Sequence, residues 1–281
     1  MFRPEDSTRR TIDKKLIEAG WLIQKFPKIN LSVGIGIAIE EFPTDSGHAD
    51  YALFIERKIV GIIEAKAEGT TLSKVEEQSA RCANSNTKWK SDNSTPVFIC
   101  ESTGVETHFT DCRDPRPRAR EVFNFHRPET LKELLKQGKS LRTRLLTFPS
   151  LNPTGFRVCQ INAIQNLENT FAKNRPRSLI HMATGAGKTF TVISSIYRLL
   201  KFSEAKRILF LVDTRQLGEQ AEQEFQAYTP SDDERKFTEL YNVQRLKSSF
   251  IDPNAHVYVC MVQRMYPILR VEEIDESLEE I

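Results

Sequence analysis

The stretch Ser178-Leu-Ile-His-Met182-Ala-Thr184-Gly185-Ala186-Gly187-Lys188-Thr189 decides how the C-terminal half is read. Ser178 to Met182 is a short apolar run predicted as a buried strand, and a helical pattern follows from Lys188 to Leu200. Between them Gly185 and Gly187 let the backbone bend tightly, so that successive N–H groups converge on an anion at the positive end of a helix. In a loop of this kind Thr184, Gly185, Ala186 and Gly187 line the cradle. Lys188 reaches the β- and γ-phosphates of ATP, and the Thr189 hydroxyl holds Mg²⁺. The strict G-x4-G-K-[ST] pattern asks for glycine at 182, where this chain has Met182.

Outward from the loop, a helix is predicted over 158–173, a strand over 207–212, a helix over 216–227 and a strand over 256–261. Short apolar strands alternating with helices predict a parallel sheet covered on both faces. The Met182 variant is similar to the A-x-T-G-x-G-K-T loop of helicase-like ATPases. Arg157-Val-Cys-Gln160 resembles the adenine-reading motif of superfamily-two helicases, whose glutamine offers both a donor and an acceptor to a base edge. Phe210-Leu-Val-Asp-Thr-Arg215 resembles the strand-to-helix motif that grips a DNA backbone, with Arg215 as phosphate ligand. Val262-Gln263, read as the end of a buried strand, resembles the T-x-Q segment of such motors, with Met261 replacing the threonine. An acidic D-E-x-H box is not found before Ile281, so residues 157–281 are expected to be an incomplete first RecA-like domain, poor at hydrolysis alone.

The N-terminal half has a different grammar. A helix is predicted over 7–20, then strands over 33–41, 49–55, 59–65, 96–100 and 105–110, with a helix-compatible stretch at 73–83; this is a small mixed α/β sheet. Two strands hold Asp50, Glu64 and Lys66. Metal-dependent phosphodiester cleavage needs carboxylates to hold Mg²⁺ and a lysine to orient or activate water. A three-residue turn at 56–58 sets Asp50 opposite Glu64, and alternation puts Lys66 on that face; a two-residue turn would send Asp50 to the other face. The spacing resembles the PD-(D/E)xK nuclease core. That resemblance adds Glu5 as an extra carboxylate and Gln78 as a further catalytic position, with Cys82 where a tyrosine belongs.

Composition bounds the rest. Hydrophobic residues make 39% and charged residues 28% of 281, a globular balance, and the net charge of +2 requires any DNA-binding surface to come from local clustering. No apolar run suggests a membrane span. Five scattered cysteines without C-x-x-C spacing are read as reduced thiols, which argues against a zinc site. Asp111 to Arg120 is read as either a solvated arginine loop or a phosphate-contacting patch. The boundaries expected are a nuclease-like domain over 1–145, a linker over 146–156 and the motor domain over 157–281.

This order of parts resembles the restriction (R, HsdR) subunit of type I restriction-modification enzymes. Supporting strings are Glu5-x-x-x-Arg9, Ala19-Gly-Trp21, Gly47-x-Ala-Asp50-Tyr51, Glu64-Ala-Lys66 and Arg157-x-x-Gln160. The resemblance implies ATP-driven translocation on double-stranded DNA coupled to Mg²⁺-dependent cleavage, in the cytoplasm of a bacterium or archaeon. It also implies separate specificity and modification subunits, with S-adenosylmethionine serving those partners alone. A repair helicase–nuclease and a non-catalytic nucleotide-binding scaffold are the alternatives.

Overall fold

The first helix, α1 (Pro4–Glu18), turns Ile12 and Leu16 onto one face, where both are fully buried. It ends because Gly20 takes a left-handed φ of 90°. Gly20 N–H then donates to the Ile17 carbonyl and Trp21 N–H to the Leu16 carbonyl, which satisfies two helix-end acceptors. A computed structural model describes residues 4–44, 47–72, 96–173, 175 and 177–270. The chain divides into two units, Met1–Thr143 and Arg144–Ile281.

In the first unit seven strands form one sheet in sequence order: β1 (Leu22–Lys25), β2 (Gly36–Thr44), β3 (Gly47–Ile55), β4 (Lys58–Ala65), β5 (Phe98–Ser102), β6 (Thr107–Asp111) and β7 (Arg120–Val122). β1 is an addition to the sequence reading; it lies parallel to β2, and the β4–β5 pair is also parallel. The alternating strands split their apolar residues between two faces. One face carries Ala38, Tyr51, Leu53, Ile63 and Cys100 beneath α1, Trp21 and Leu131 of α2 (Pro128–Lys136). Each fully buried Ile or Leu there contributes roughly 2 kcal/mol. The other face gathers Ile37, Ile39, Phe42, Ala52, Phe54 and Ile59.

The Asp111–Arg120 stretch is neither a solvated loop nor a free basic patch at two of its arginines. Arg113 grips Asp111 through two bonds of 2.7 and 2.9 Å and lies over the Phe98 ring, and Arg120 pairs with buried Asp114. Desolvation outweighs the Ser140 hydrogen bond and the charges of Arg120 and Arg142 at Asp114, whose carboxyl is held above the usual range. Cys100, Cys159 and Cys260 are free, whereas Cys112 is disulfide-bonded, which corrects the all-reduced expectation.

The second unit begins inside α3 (Leu141–Leu145). Residues 146–156, expected as a linker, contain no helix or strand but pack on this unit: Arg198 donates to the Pro149 carbonyl at 2.6 Å and covers the Phe148 ring. The elements that follow are α4 (Val158–Ala172), α5 (Lys188–Ser203), β8 (Ile208–Val212), α6 (Arg215–Ala227), α7 (Phe237–Leu240), β9 (Val243–Arg245), β10 (Val257–Met261) and α8 (Val262–Arg270). The strands form a parallel sheet of order β8-β10-β9. Residues of α5, α6 and α7 cover one face around Val257 and Val259, and Met265 and Ile268 of α8 pack on the other beside Tyr258 and Cys260.

Three expectations fail here. The segment 178–182 is not a strand: Leu179 is 95% exposed and no ladder is formed. An apolar run has strand propensity, but a strand exists only when a neighbour accepts its N–H and C=O groups. Both-face coverage fails at β8, where Leu209 and Leu211 remain exposed. Val262-Gln263 opens α8 rather than ending a strand, because the ladder stops at Met261. Among the described residues no helix is long and apolar enough to cross a membrane.

Candidate functional sites

The carboxylate site starts from a hairpin that departs from its expected form. Its turn has two residues, Glu56 and Arg57, at φ of 49° and 68°, the arrangement that matches strand twist. Alone, that turn would aim Asp50 away from Glu64. A bulge cancels it: Phe54 pairs with Ile59, Leu53 pairs with Gly61, and Val60 is the extra residue on β4. The register then runs through Tyr51↔Ile63, so the next step faces Asp50 with Glu64.

The side chains follow the ladder. Asp50 Oδ2 accepts the Ala65 N–H at 2.8 Å, and Asp50 Oδ1 lies 2.5 Å from Arg9 Nη2. The Lys66 ammonium sits 3.1 Å from Glu64 Oε2, and its backbone N–H donates to the Ser102 carbonyl at 2.8 Å. All three side chains are partly exposed, between 23% and 34%, so solvent reaches them. Asp50, Glu64 and Lys66 are therefore gathered at one end of the sheet. Gln78 lies outside the described residues; Glu5 falls within α1, with its side chain outside them.

The ladder adds residues that spacing did not reveal. Glu41 falls opposite Asp50, between the Glu40↔Tyr51 and Phe42↔Ala49 pairs. On the far side Glu64 faces Glu101, which is buried, and Glu101 faces His108. These positions share a transverse row, but among the described residues no group of three or more His, Cys, Asp or Glu side chains is set to hold a metal ion. Asp50 and Glu64 still offer the oxygen donors that Mg²⁺ prefers, and that ion keeps several waters when few protein ligands are present. Only the pairing of distant segments could have exposed Glu41 and Glu101.

The phosphate loop is built locally. Gly185 and Gly187 take φ of 75° and 81°, which side-chain-bearing residues adopt only at a cost, and Gly187 leads straight into α5. Lys188 Nζ donates to the Met182 and Ala183 carbonyls at 3.2 and 3.4 Å. Thr184 is exposed and Thr189 half-buried. The two upstream residues reach the same loop. Arg157 Nη1 donates to the Gly185 carbonyl at 2.8 Å and Gln160 Nε2 to the Ala186 carbonyl at 3.0 Å, while Gln160 Oε1 accepts the Arg157 N–H. Gln160 is only 5% exposed. The loop thus has the N–H groups, helix end and lysine that a nucleotide phosphate requires.

At the carboxyl ends of the parallel strands a cavity of about 290 Å³ is lined by Arg215, Arg245, Lys247 and Arg264 beside Glu219. Arg215 and Arg245 both bind Glu219, at 3.1 and 3.0 Å, which holds that carboxyl below its usual range, and Gln263 reaches the Asp213 carbonyl at 3.4 Å. Of the two residues singled out from the sequence, Arg215 lines the cavity and Gln263 is not among its lining residues; Arg245, Lys247 and Arg264 meet Arg215 only through the strand order.

Comparison with known proteins follows the same division. The family described as Type I restriction enzyme EcoKI endonuclease subunit second domain matches residues 32–107, and that described as Type III restriction enzyme, res subunit, matches residues 154–281. The chain is 28% identical over 326 aligned positions to the Type I restriction enzyme EcoKI endonuclease subunit of Escherichia coli (strain K12), covering 98% of this chain and 28% of that protein. It is 32% identical over 107 positions to the Type I restriction enzyme EcoAI endonuclease subunit of Escherichia coli, covering 38% of this chain and 12% of that protein. The chain spans under a third of the length of these relatives. A solved fragment described as an HsdR subunit of a type I restriction enzyme from Vibrio vulnificus YJ016 overlays with a TM-score of 0.35 at 20% identity, covering 96% and 49% of the two chains; so loose an overlay carries no argument.

Proposed function

We propose that this chain belongs to the type I restriction endonuclease subunits and carries the DNA-cleaving site and the ATP-binding part of the translocation motor of such a complex. The observation that carries the reading is the bulged register that faces Asp50 with Glu64 beside Lys66, in a chain that also holds the phosphate loop.

Each residue has a task. Asp50 and Glu64 would hold Mg²⁺, which when bound supplies charge neutralisation at the scissile phosphate. Lys66, placed by its ion pair with Glu64, orients the attacking water and stabilises charge developing on the phosphate. Gln78 is assigned to the same site from the family spacing. In the motor, the Gly185–Gly187 backbone and Lys188 bind the ATP phosphates, and Thr189 would hold its Mg²⁺. Gln160 keeps one amide hydrogen and one lone pair for the adenine edge, and Arg157 steadies the loop. Arg215 and Gln263 contact the DNA backbone at the strand ends. Double-stranded DNA is the substrate, and specificity and modification subunits are the partners. S-adenosylmethionine would act only through those partners, in the cytoplasm of a bacterium or archaeon.

The test uses the complete subunit carrying this sequence, assembled with its partners. Lys66→Ala should abolish cleavage while leaving ATP hydrolysis, and Lys188→Ala should abolish both. Undiminished cleavage by Lys66→Ala would sink the nuclease assignment, and undiminished ATP hydrolysis by Lys188→Ala the motor assignment.

A further inference from the structure

A cation already sits on Asp50. The Arg9 guanidinium, from α1, spans two neighbouring strands: Nη2 lies 2.5 Å from Asp50 Oδ1 and Nη1 contacts Glu41 Oε1. With Asp50 Oδ2 taking the Ala65 N–H, each oxygen of the carboxylate has a donor. The two acids are held unequally. Asp50 is 23% exposed and Glu41 52%, so Arg9 bridges a sheltered partner and an open one. Glu41 sits at a φ of 52°, an unusual backbone state for a residue with a side chain.

A guanidinium in contact with Asp50 and a divalent ion on the same carboxylate repel each other strongly at a few ångströms. Both cannot stay. We propose that Arg9 is a positioning residue that gates cation loading: it holds Asp50 in the empty site, and a divalent ion binds only as Arg9 withdraws onto Glu41. This rests on the nuclease reading of Asp50 and Glu64. It gives Glu41 a task as the anchor that keeps Arg9 when Asp50 is taken.

The gate predicts opposite signs for two substitutions, which a structural role does not. Removing Arg9 releases Asp50 Oδ1 and tightens ion binding. Removing the charge of Glu41 leaves Arg9 to Asp50 alone and weakens it. If Arg9 merely held Asp50 in place, its loss would weaken binding or leave it unchanged.

The measurement is Mn²⁺ binding to the 281-residue chain by electron paramagnetic resonance, without DNA or nucleotide, with Asp50→Asn defining the background. Thermal unfolding of each variant checks that it folds. Arg9→Gln should tighten the Asp50-dependent site about fivefold, and Glu41→Gln should weaken it about threefold, the scale of a partly exposed ion pair. Arg9→Lys keeps the charge but cannot fork across two carboxylates, and should fall between wild type and Arg9→Gln. Equal or weaker binding in both Arg9 variants, with the Asp50-dependent site intact, overturns the gate and leaves the nuclease reading standing. Absence of Asp50-dependent binding in every variant removes that reading, and the gate with it.

Discussion

At Asp50 the proposed metal-binding carboxylate is held from outside by a helix and a neighbouring strand, whereas at Lys188 the proposed phosphate-binding ammonium is held by its own loop. Asp50 takes Arg9 from α1 and the Ala65 N–H from β4, forty-one and fifteen residues away. Lys188 donates to carbonyls five and six residues before it. The first site is a product of the sheet, and disturbing the sheet at a distance should destroy it. The second is a product of local backbone, vulnerable mainly at its glycines. The contrast also shows what each lacks. Asp50 and Glu64 each have a cationic partner, while the apolar run leading into the phosphate loop has no ladder partner.

The largest expected effect tests the sheet. Gly61 sits beside the bulge, and a Cβ there would lie 2.8 Å from the Phe98 carbonyl oxygen of β5, a backbone atom that cannot swing away. Gly61→Val should destabilise the first unit by about 3 kcal/mol in denaturant titration and disrupt the Asp50–Glu64 site. A variant that is as stable as wild type would show that the β4–β5 contact does not set the geometry.

A smaller effect tests the loop. At Gly187 an added Cβ would meet Gln160 Nε2 at 2.4 Å while the φ of 81° strains the backbone. Gly187→Ala should cost about 1–2 kcal/mol of local stability and lower affinity for a fluorescent ATP analogue about tenfold or more, with the first unit unchanged. If nucleotide affinity is retained, the cradle is not where the phosphates bind.

The smallest effect concerns pH in the sheet unit. His126 stacks on Phe109 with ring centres 4.3 Å apart, and burial lowers its pKa below the ordinary 6.5. The unfolded chain therefore takes up this proton first as pH falls, so its contribution to stability is complete above about 6.5 and declines below it toward the folded-state value. Unfolding midpoints measured between pH 7.5 and 5 should fall for wild type and fall less for His126→Phe. Parallel curves would remove His126 as a cause.

How much was legible follows from the same contrast. The helix over 158–172, the glycine loop and the strands around Leu209 and Val259 were readable because periodicity, apolar runs and positive-φ glycines are local signals. The pairing of Asp50 with Glu64 was also foreseen, but by the wrong route: a three-residue turn was expected, and a two-residue turn with a bulge at Val60 produces the same register. No local pattern marks that bulge, because it answers to the partner strand. Arg113 and Arg120 read from the sequence as a solvated loop or a phosphate-contacting patch, and they pair instead with Asp111 and Asp114.

The sequence by itself determined which residues have the chemistry: a lysine and threonine after two glycines, and two carboxylates and a lysine on adjacent strands. Those choices depend on residue type and short spacing, which backbone geometry turns directly into structure. The tertiary structure alone decided that Arg9 and Glu41 share Asp50, that Gln160 folds onto the phosphate loop, and that 178–182 lies unpaired. Each of these depends on segments distant in sequence meeting in space, and a strand or an ion pair has no existence until its partner arrives.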